Sequence, residues 1–448
     1  MKVLILGNDG RAHVMTWKLL NSSLVQEVVC APGNGGTAQL ALHADLDQQD
    51  SIGIARWCFD EQFDLVFPTN STSLQAGLVD ETLSLQVGVC GPPQRTVALE
   101  QSRCQAKEFM LRHRIPTAPG RPFNDLTTAE KFLASQPLPV MIKADHSSGG
   151  EQVYIDRYAA LEGLRTLFAA RPLDSNQSGV VIEAFLPGAR VALSAFTDGR
   201  TAVPLLPVRL YDRAEPSDTA PIAVGVGAHT SSSNFSRQLA EYLQRKFLQP
   251  FVDGLAHDGL PSWGILGIDC IIAPDGPRAI GLRYALREGE AQVVLPRLED
   301  DLMPWIQAMF TQRLHERPPP VWSPTPNVGL GLFARGYPIS FAYGGFVQGL
   351  EDLDEGVLAF HSSTAHPGAV LTYTPQQNRA NLNQTLGRLF GMTGLSTGGL
   401  HSTGGLVLTI VAQGATLAGA RGRALVNAER VQFAGRAFRD DIGAKEFA

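Results

Sequence analysis

The stretch Gly179–Gly199, "GVVIEAFLPGARVALSAFTDG", is an apolar run of strand length, a short extended linker, and a second apolar run. Upstream, "PVMIKAD" (Pro139–Asp145) reads as a strand with a lysine inside an apolar segment. Lysine is seldom buried without a partner, so Lys143 needs an explanation beyond packing. "HSSGGEQVYI" (146–155) is a small-residue turn feeding a strand, and "TAVPLLPVRL" (201–210) adds one more. Two lobes joined by an extended hinge, with a buried lysine in one of them, predict a nucleotide held between sheets.

Toward the N-terminus the pattern changes. "KVLILG" (2–7) is a buried strand, "AHVMTWKLLNSS" (12–23) an amphipathic helix, and "EVVCAPG" (27–33), "FDLVFPT" (63–69) and "QVGVCGPP" (86–93) are further strands. Apolar strands separated by helices predict an open parallel α/β sheet, with ligand loops at the strands' carboxyl ends. Those loops are "GNDGRAH" (7–13), "APGNGGTA" (31–38) and "PTNSTSLQAG" (68–77). The first is not a full GxGxxG and has no acidic ribose partner, so a dinucleotide site is not expected. A tight strand-to-helix turn explains its glycines equally well.

Residues 96–131 read as helical. Between 267 and 286, "GIDCIIAPDG" and "RAIGLRYAL" form a hairpin. The proline-rich "ERPPPVWSPTP" (316–326) marks a linker. Beyond it, "VGLGLFARG", "ISFAYGG", "GVLAFHSST", "AVLTYTP" and "GGLVLTIVAQG" read as strands, with a helix over "LAGARGRALVNAERV" (417–431). Residues 375–403, polar and then glycine-rich, read as a surface insertion of open role.

At 448 residues, 44% hydrophobic and 18% charged, the chain is long enough for several domains with large cores. A net charge of -6 argues against bulk nucleic-acid binding. No apolar run is long enough to span a membrane or form a signal core. Five scattered cysteines without a CxxC pair fit a reducing cytoplasm and give no zinc site.

Several motifs together resemble glycinamide ribonucleotide synthetase (phosphoribosylamine–glycine ligase), an ATP-grasp family. "KVLILGNDGRAH" is similar to KVLVIGNGGREH, "APGNGGTA" to APGNAGTA, and "LRHRIPTA" to ARHKIPTA. "VIEAFLPG" resembles VIEEFLDG, "DTAPIAVGVGA" resembles DTGPNTGGMGA, and "FAGRAFRDDIG" resembles FxGxxYRxDIG. The resemblance covers nearly the whole chain. It implies an α/β ATP-grasp fold: an N-terminal open parallel α/β domain over 1–105, a two-lobed ATP-grasp domain over 106–315, and a C-terminal β-rich domain over 327–448.

The resemblance also implies a chemistry. ATP phosphorylates a small carboxylate and an amine attacks the acyl phosphate, the protein supplying position and charge. By the same carry-over Lys143 and Arg103, the latter replacing a family lysine, meet the nucleotide phosphates. Glu183 and the Phe185–Leu186 backbone meet adenine. Asn8, Gly10, Gly33, Asn34, Gly225 and Gly227 fall on substrate loops, and Arg213 and Arg283 on catalytic positions. The implied partners are small-molecule carboxylate and amine substrates, with no nucleic acid and no membrane, for a monomer or homodimer in the cytoplasm.

The departures fall where the chemistry sits. The family's VIEFNCRFGDPETQ is here "AIGLRYALREGEAQ" (279–292). Gly281 takes the place of a metal-binding glutamate, Arg283 that of a metal-binding asparagine, and Ala285 that of an arginine. Arginine has no acceptor for a magnesium ion. Asp269, Glu288 and Glu290 are the carboxylates left to relocate a metal, and Arg283 is an alternative fixed cation for an anion. The phosphate loop's lysine has become Glu151. At ~4 Å and an effective dielectric of about 20, that like charge costs about 4 kcal/mol beside a phosphate. "TNSTSL" (69–74) replaces GPEAPL, and Asp212 replaces a lysine. Three readings follow: an ordinary member of the family, a divergent ligase with another substrate and a relocated metal, or a non-catalytic descendant that binds a nucleotide or anion.

Overall fold

The computed structural model describes residues 1–146, 150–170, 179–216, 220–230, 241–366 and 399–444. The N-terminal sheet is open and parallel, in the order Leu42–His43, Glu27–Pro32, Lys2–Gly7, Leu65–Pro68, Gly88–Val89. Val3 to Leu6 are buried, as expected of a central strand covered on both faces. The strand runs into the helix Gly10–Leu20, whose first N–H groups are received by the Asp9 carboxylate. Asp9 caps a helix that begins beside the cleft described below.

A second sheet, antiparallel, has the order Gly120–Phe123, Val180–Ala184, Val140–Ala144, Glu151–Tyr154. The helices Leu126–Ser135 and Arg157–Ala169 bury Leu133 and Leu164 in the same core as Val140, Ile142 and Ile182. The third sheet is the largest. Its path runs Gly276–Arg283, Gly264–Ala273, Ala189–Thr197, Val208–Arg213, Ile222–Thr230, Asn327–Ala334, Leu406–Gln413, Leu358–His361. The strands that follow the proline-rich linker therefore extend the sheet of the preceding region, by antiparallel pairing of Gly227 with Leu330 and His229 with Val328. No helix among the described residues is long and apolar enough to cross a membrane.

Three local readings are corrected. Residues 96–131 are not continuously helical. The helices Gln94–Gln101 and Arg103–Arg112 break at Ser102, whose hydroxyl caps the second by accepting from the Gln105 amide at 3.1 Å. Pro116 and Pro119 then lead into the strand Gly120–Phe123, since neither proline can donate a helical hydrogen bond. "ISFAYGG" (339–345) is not a strand: Ile339 and Tyr343 are exposed, and Gly344 takes a left-handed conformation. "TAVPLLPVRL" is two strands, Ala202–Pro204 and Val208–Arg213, parted where Pro207 removes a ladder donor. "AVLTYTP" and most of 375–403 lie outside the described residues.

Candidate functional site

A cleft of about 690 Å³ opens between the second and third sheets, walled by the helix pair at 94–112 and by the loops of the N-terminal sheet. Seven of its lining residues are arginine or lysine and four are aspartate or glutamate, so the wall favours an anion.

One side is built on Glu183. Its buried carboxylate meets Lys143 Nζ at 2.5 Å and Lys107 Nζ at 2.8 Å. Lys143 and Glu183 sit on neighbouring antiparallel strands, and Lys107 reaches in from the helix Arg103–Arg112. Lys107 also donates to the Ala118 carbonyl at 2.5 Å and to Thr117 Oγ1 at 3.1 Å. Burial pushes the Glu183 carboxyl up, but the two lysines outweigh it and hold it below the usual carboxylate range. Arg103, one turn before Lys107, donates to the Gly150 carbonyl at 2.6 Å and to the Ala144 carbonyl at 3.1 Å. Burial lowers the Arg103 pKa from its ordinary value, and the charge of Glu151, which lines the same wall, opposes that shift without cancelling it. Phe185 and Leu186 are half-buried beyond the strand end and are not among the cleft-lining residues.

The opposite side is the hairpin 264–283. Arg283 is 4% exposed and Glu290 is fully buried. Arg283 Nε donates to Asp269 Oδ1 at 3.1 Å, Nη1 to the Ala285 carbonyl at 2.5 Å, and Nη2 to Ser194 Oγ at 2.9 Å and Glu290 Oε1 at 3.1 Å. Asp269 is also held by Arg287, whose Nε lies 2.8 Å from Oδ1 and whose Nη2 meets Oδ2. Burial pushes the Asp269 carboxyl up, yet Arg287 and then Arg283 prevail and hold it well below its ordinary value. Gly281 faces Asp269 across the hairpin, and a Cβ there would meet nothing nearer than Asp269 Oδ2 at 3.8 Å.

These contacts decide how a divalent cation fits. Gly281 offers no side-chain donor, Arg283 offers only N–H groups, and the Asp269 and Glu290 carboxylates are bound to guanidinium. Among the described residues no three His, Cys, Asp or Glu converge on one point. The residues present do not fit a magnesium ion at this position. The relocated set Asp269, Glu288 and Glu290 is not a converging set either, because Glu288 points elsewhere.

Glu288 lies at the junction of three segments. Its Oε1 accepts from Ser362 Oγ at 2.6 Å and Gln292 Nε2 at 2.7 Å, and Oε2 accepts from the Arg11 amide at 3.3 Å. Two glycines make room for it. A Cβ on Gly10 would fall 2.5 Å from Glu288 Oε1, and one on Gly225, where φ is +77, 2.9 Å from Glu288 Cγ. Burial, then the nearby Asp9, raise the Glu288 carboxyl from 4.5 to about 7 against the pull of Arg11. Its folded form therefore holds a proton that the unfolded chain has released. Between pH 4.5 and about 7 stability should fall as pH rises, by up to about 1.4 kcal/mol per pH unit from this group. Denaturant unfolding across that window checks this: Glu288→Gln should flatten the slope, and an unchanged slope would assign it to another group.

Other residues singled out from the sequence are dispersed. Gly33 and Asn34 line a separate hollow of about 230 Å³ with His43 and Thr364. Asn34 Nδ2 donates to the Asn8, Asp9 and His361 carbonyls, and the Asn8 residue is exposed. Gly227 lies inside a strand, where a Cβ would strike Ile442 at 2.5 Å, so it serves packing. Arg213 donates to the Ala220 carbonyl and does not line the cleft. Sequence reasoning missed Lys107, Arg287, Arg190, Arg11 and Glu100, all of which line it. A signal for Lys107 existed, because four residues after Arg103 on a helix is the same face.

Against known protein families, residues 1–100, 101–292 and 327–445 match in turn the N domain, the ATP-grasp (A) domain and the C domain of phosphoribosylglycinamide synthetase. The chain is 30% identical to the phosphoribosylamine–glycine ligase of Brucella melitensis over 447 residues, covering 99% of this chain and 97% of that one. It is 30% identical over 446 residues to that of Caulobacter vibrioides, covering 99% and 98%. Among solved structures, the phosphoribosylamine–glycine ligase of Thermotoga maritima shares the fold with a TM-score of 0.76 at 23% identity, covering 99% of this chain and 100% of that one. The biotin carboxylase domain of Hydrogenobacter thermophilus 2-oxoglutarate carboxylase shares it with a TM-score of 0.66 at 14% identity, covering 97% and 91%.

Proposed function

This chain belongs to the phosphoribosylglycinamide synthetase family of ATP-grasp proteins, and from that premise we propose that its central cleft binds an adenine nucleotide in the service of carboxylate–amine ligation. The observation that carries the reading is the buried Lys143–Glu183–Lys107 group beside Arg103 in a cationic cleft between two sheets. Glu183 fixes both ammonium groups: Lys107 gives its three N–H groups to Glu183, Ala118 and Thr117 and lends charge, while Lys143 keeps N–H groups with which to orient phosphates.

The reaction class is the one implied by the family. A carboxylate oxygen takes the terminal phosphoryl group and releases ADP, and an amine nitrogen then displaces phosphate from the acyl carbon and loses a proton. The relatives are named for phosphoribosylamine and glycine. The cleft-facing Asn70 and Ser71 belong to "TNSTSL" (69–74), which stands against GPEAPL in the family resemblance, and this favours a different acyl donor or amine. A second reading, a nucleotide-binding homologue without ligation, is favoured by the arginine cluster around Asp269.

ADP release from ATP with phosphoribosylamine and glycine, and with other small carboxylates and amines, separates the readings. The chain alone is expected not to restore purine-independent growth to a ligase-deficient bacterium, and growth would place it among the ordinary members. For the nucleotide site itself, Lys143→Met should weaken ADP binding by about tenfold or more in calorimetry, since a charge-assisted contact is lost. Unchanged affinity would put the nucleotide elsewhere.

A further inference from the structure

The geometry points to a phosphate site that works without a divalent cation, its charge supplied by Arg287 on the turn after the hairpin, Arg190 on the neighbouring strand and Arg103 on the helix across the cleft. This deepens the nucleotide-binding reading above and rests on it.

Where the family resemblance implies a metal, the chain has placed Arg283, but Arg283 is not itself the anion receptor. Two carboxylates, a hydroxyl and a carbonyl already take four of its five N–H groups. Its role is to neutralise Asp269 and Glu290, which would otherwise repel a phosphate. Arg287 completes that neutralisation from the cleft side, where it remains about one-third exposed while Asp269 behind it is buried.

Arg190 stands on the adjacent strand, which pairs Ala192 with Asp269. It lines the cleft and is anchored to Asp212 through Nη1, while its Nε is buried and has no hydrogen-bond partner. A buried N–H left unsatisfied is costly, and a phosphate oxygen is a partner able to satisfy it once the side chain turns this closed Nε toward the cleft. Arg103, across the cleft, is close enough to Arg190 to feel its charge. Three guanidinium groups thus border one open volume, over which Gly281 projects no side chain. Planar N–H donors match phosphate oxygens directly and need no bridging ion. The ligand class is a nucleoside diphosphate or triphosphate bound as the free anion.

Calorimetry of the full chain with ADP, in chelator and in millimolar magnesium, tests this. The expected result is an affinity in chelator within about threefold of that in magnesium. Arg190→Gln should weaken binding in chelator by about tenfold, with the melting curve confirming that the variant folds. Arg190→Lys should recover only part of the loss, because a point charge cannot reproduce the Nε donor. Binding that requires magnesium would overturn the inference and leave the nucleotide reading standing. An Arg190→Gln variant that folds and binds ADP as the wild type does would also overturn it. No ADP binding under either condition would overturn both.

Discussion

Arg283→Met is expected to cost about 3–5 kcal/mol of stability, the largest single loss we anticipate. Arg283 holds two buried carboxylates in one pocket, and methionine fills much of its volume while leaving their charge behind. Asp269 would keep Arg287, but Glu290 would keep only the Ser194 hydroxyl and the Arg287 amide. Neither is a cation, and the Arg287 guanidinium, engaged by Asp269, acts on Glu290 only through its charge at longer range. The internal control is Arg283→Met combined with Glu290→Gln, which removes the orphaned charge and should recover a substantial part of the loss. Denaturant unfolding monitored on the full chain gives the comparison. A single-variant cost below about 1 kcal/mol would mean that water reaches the cluster and that its burial counts for little.

The second large effect is a gain of metal dependence. Gly281→Glu with Arg283→Asn places at both positions the side chains that the family resemblance implies. A Cβ at position 281 meets nothing nearer than Asp269 Oδ2 at 3.8 Å, so the backbone there accepts a side chain. The exchange removes one positive charge and adds one negative charge beside Asp269 and Glu290, leaving Arg287 as their nearby counter-charge. The double variant should be destabilised in chelator and rescued by magnesium. At magnesium a hundredfold above its dissociation constant the rescue is about 2.7 kcal/mol by mass action. The wild type should not respond. A double variant indifferent to magnesium would locate the deeper loss in the segment around Glu151, which the family resemblance sets against a lysine.

The parts of the fold that were readable from the sequence were those with strong local signals. Val3–Leu6 and Val180–Ile182 are apolar runs flanked by turn residues, and they are strands. The hairpin 264–283 was legible for the same reason. The 339–345 segment misled because aromatic and β-branched residues read as strand even where they have no ladder to join. In the site, Lys143 stood out because an isolated lysine in an apolar strand demands a partner, and the partner is Glu183. Lys107 and Arg287 did not stand out, since each sits among polar neighbours and only tertiary contact distinguishes it from a surface charge. Asp269 was singled out as a metal ligand because a carboxylate on that strand suggests one. Its two arginine partners lie 14 and 18 residues away, and such pairings are set by how the hairpin and the following turn pack.

The continuity of the third sheet has a consequence for how the chain is made. Ile222–Thr230 pairs on one side with Val208–Arg213 and on the other with Asn327–Ala334. At about 5–20 residues per second on the ribosome, the second neighbour is synthesised roughly 5–20 s after Thr230. Until then nascent chains carry an open strand edge, and on a polysome identical edges are close to one another. Exposed edges of that kind pair with copies of themselves. Solubility should therefore depend on synthesis rate: slower elongation between residues 231 and 326 lengthens the exposure. A chaperone that shields nascent chains is expected to raise the yield of this protein more than that of one whose sheets close locally.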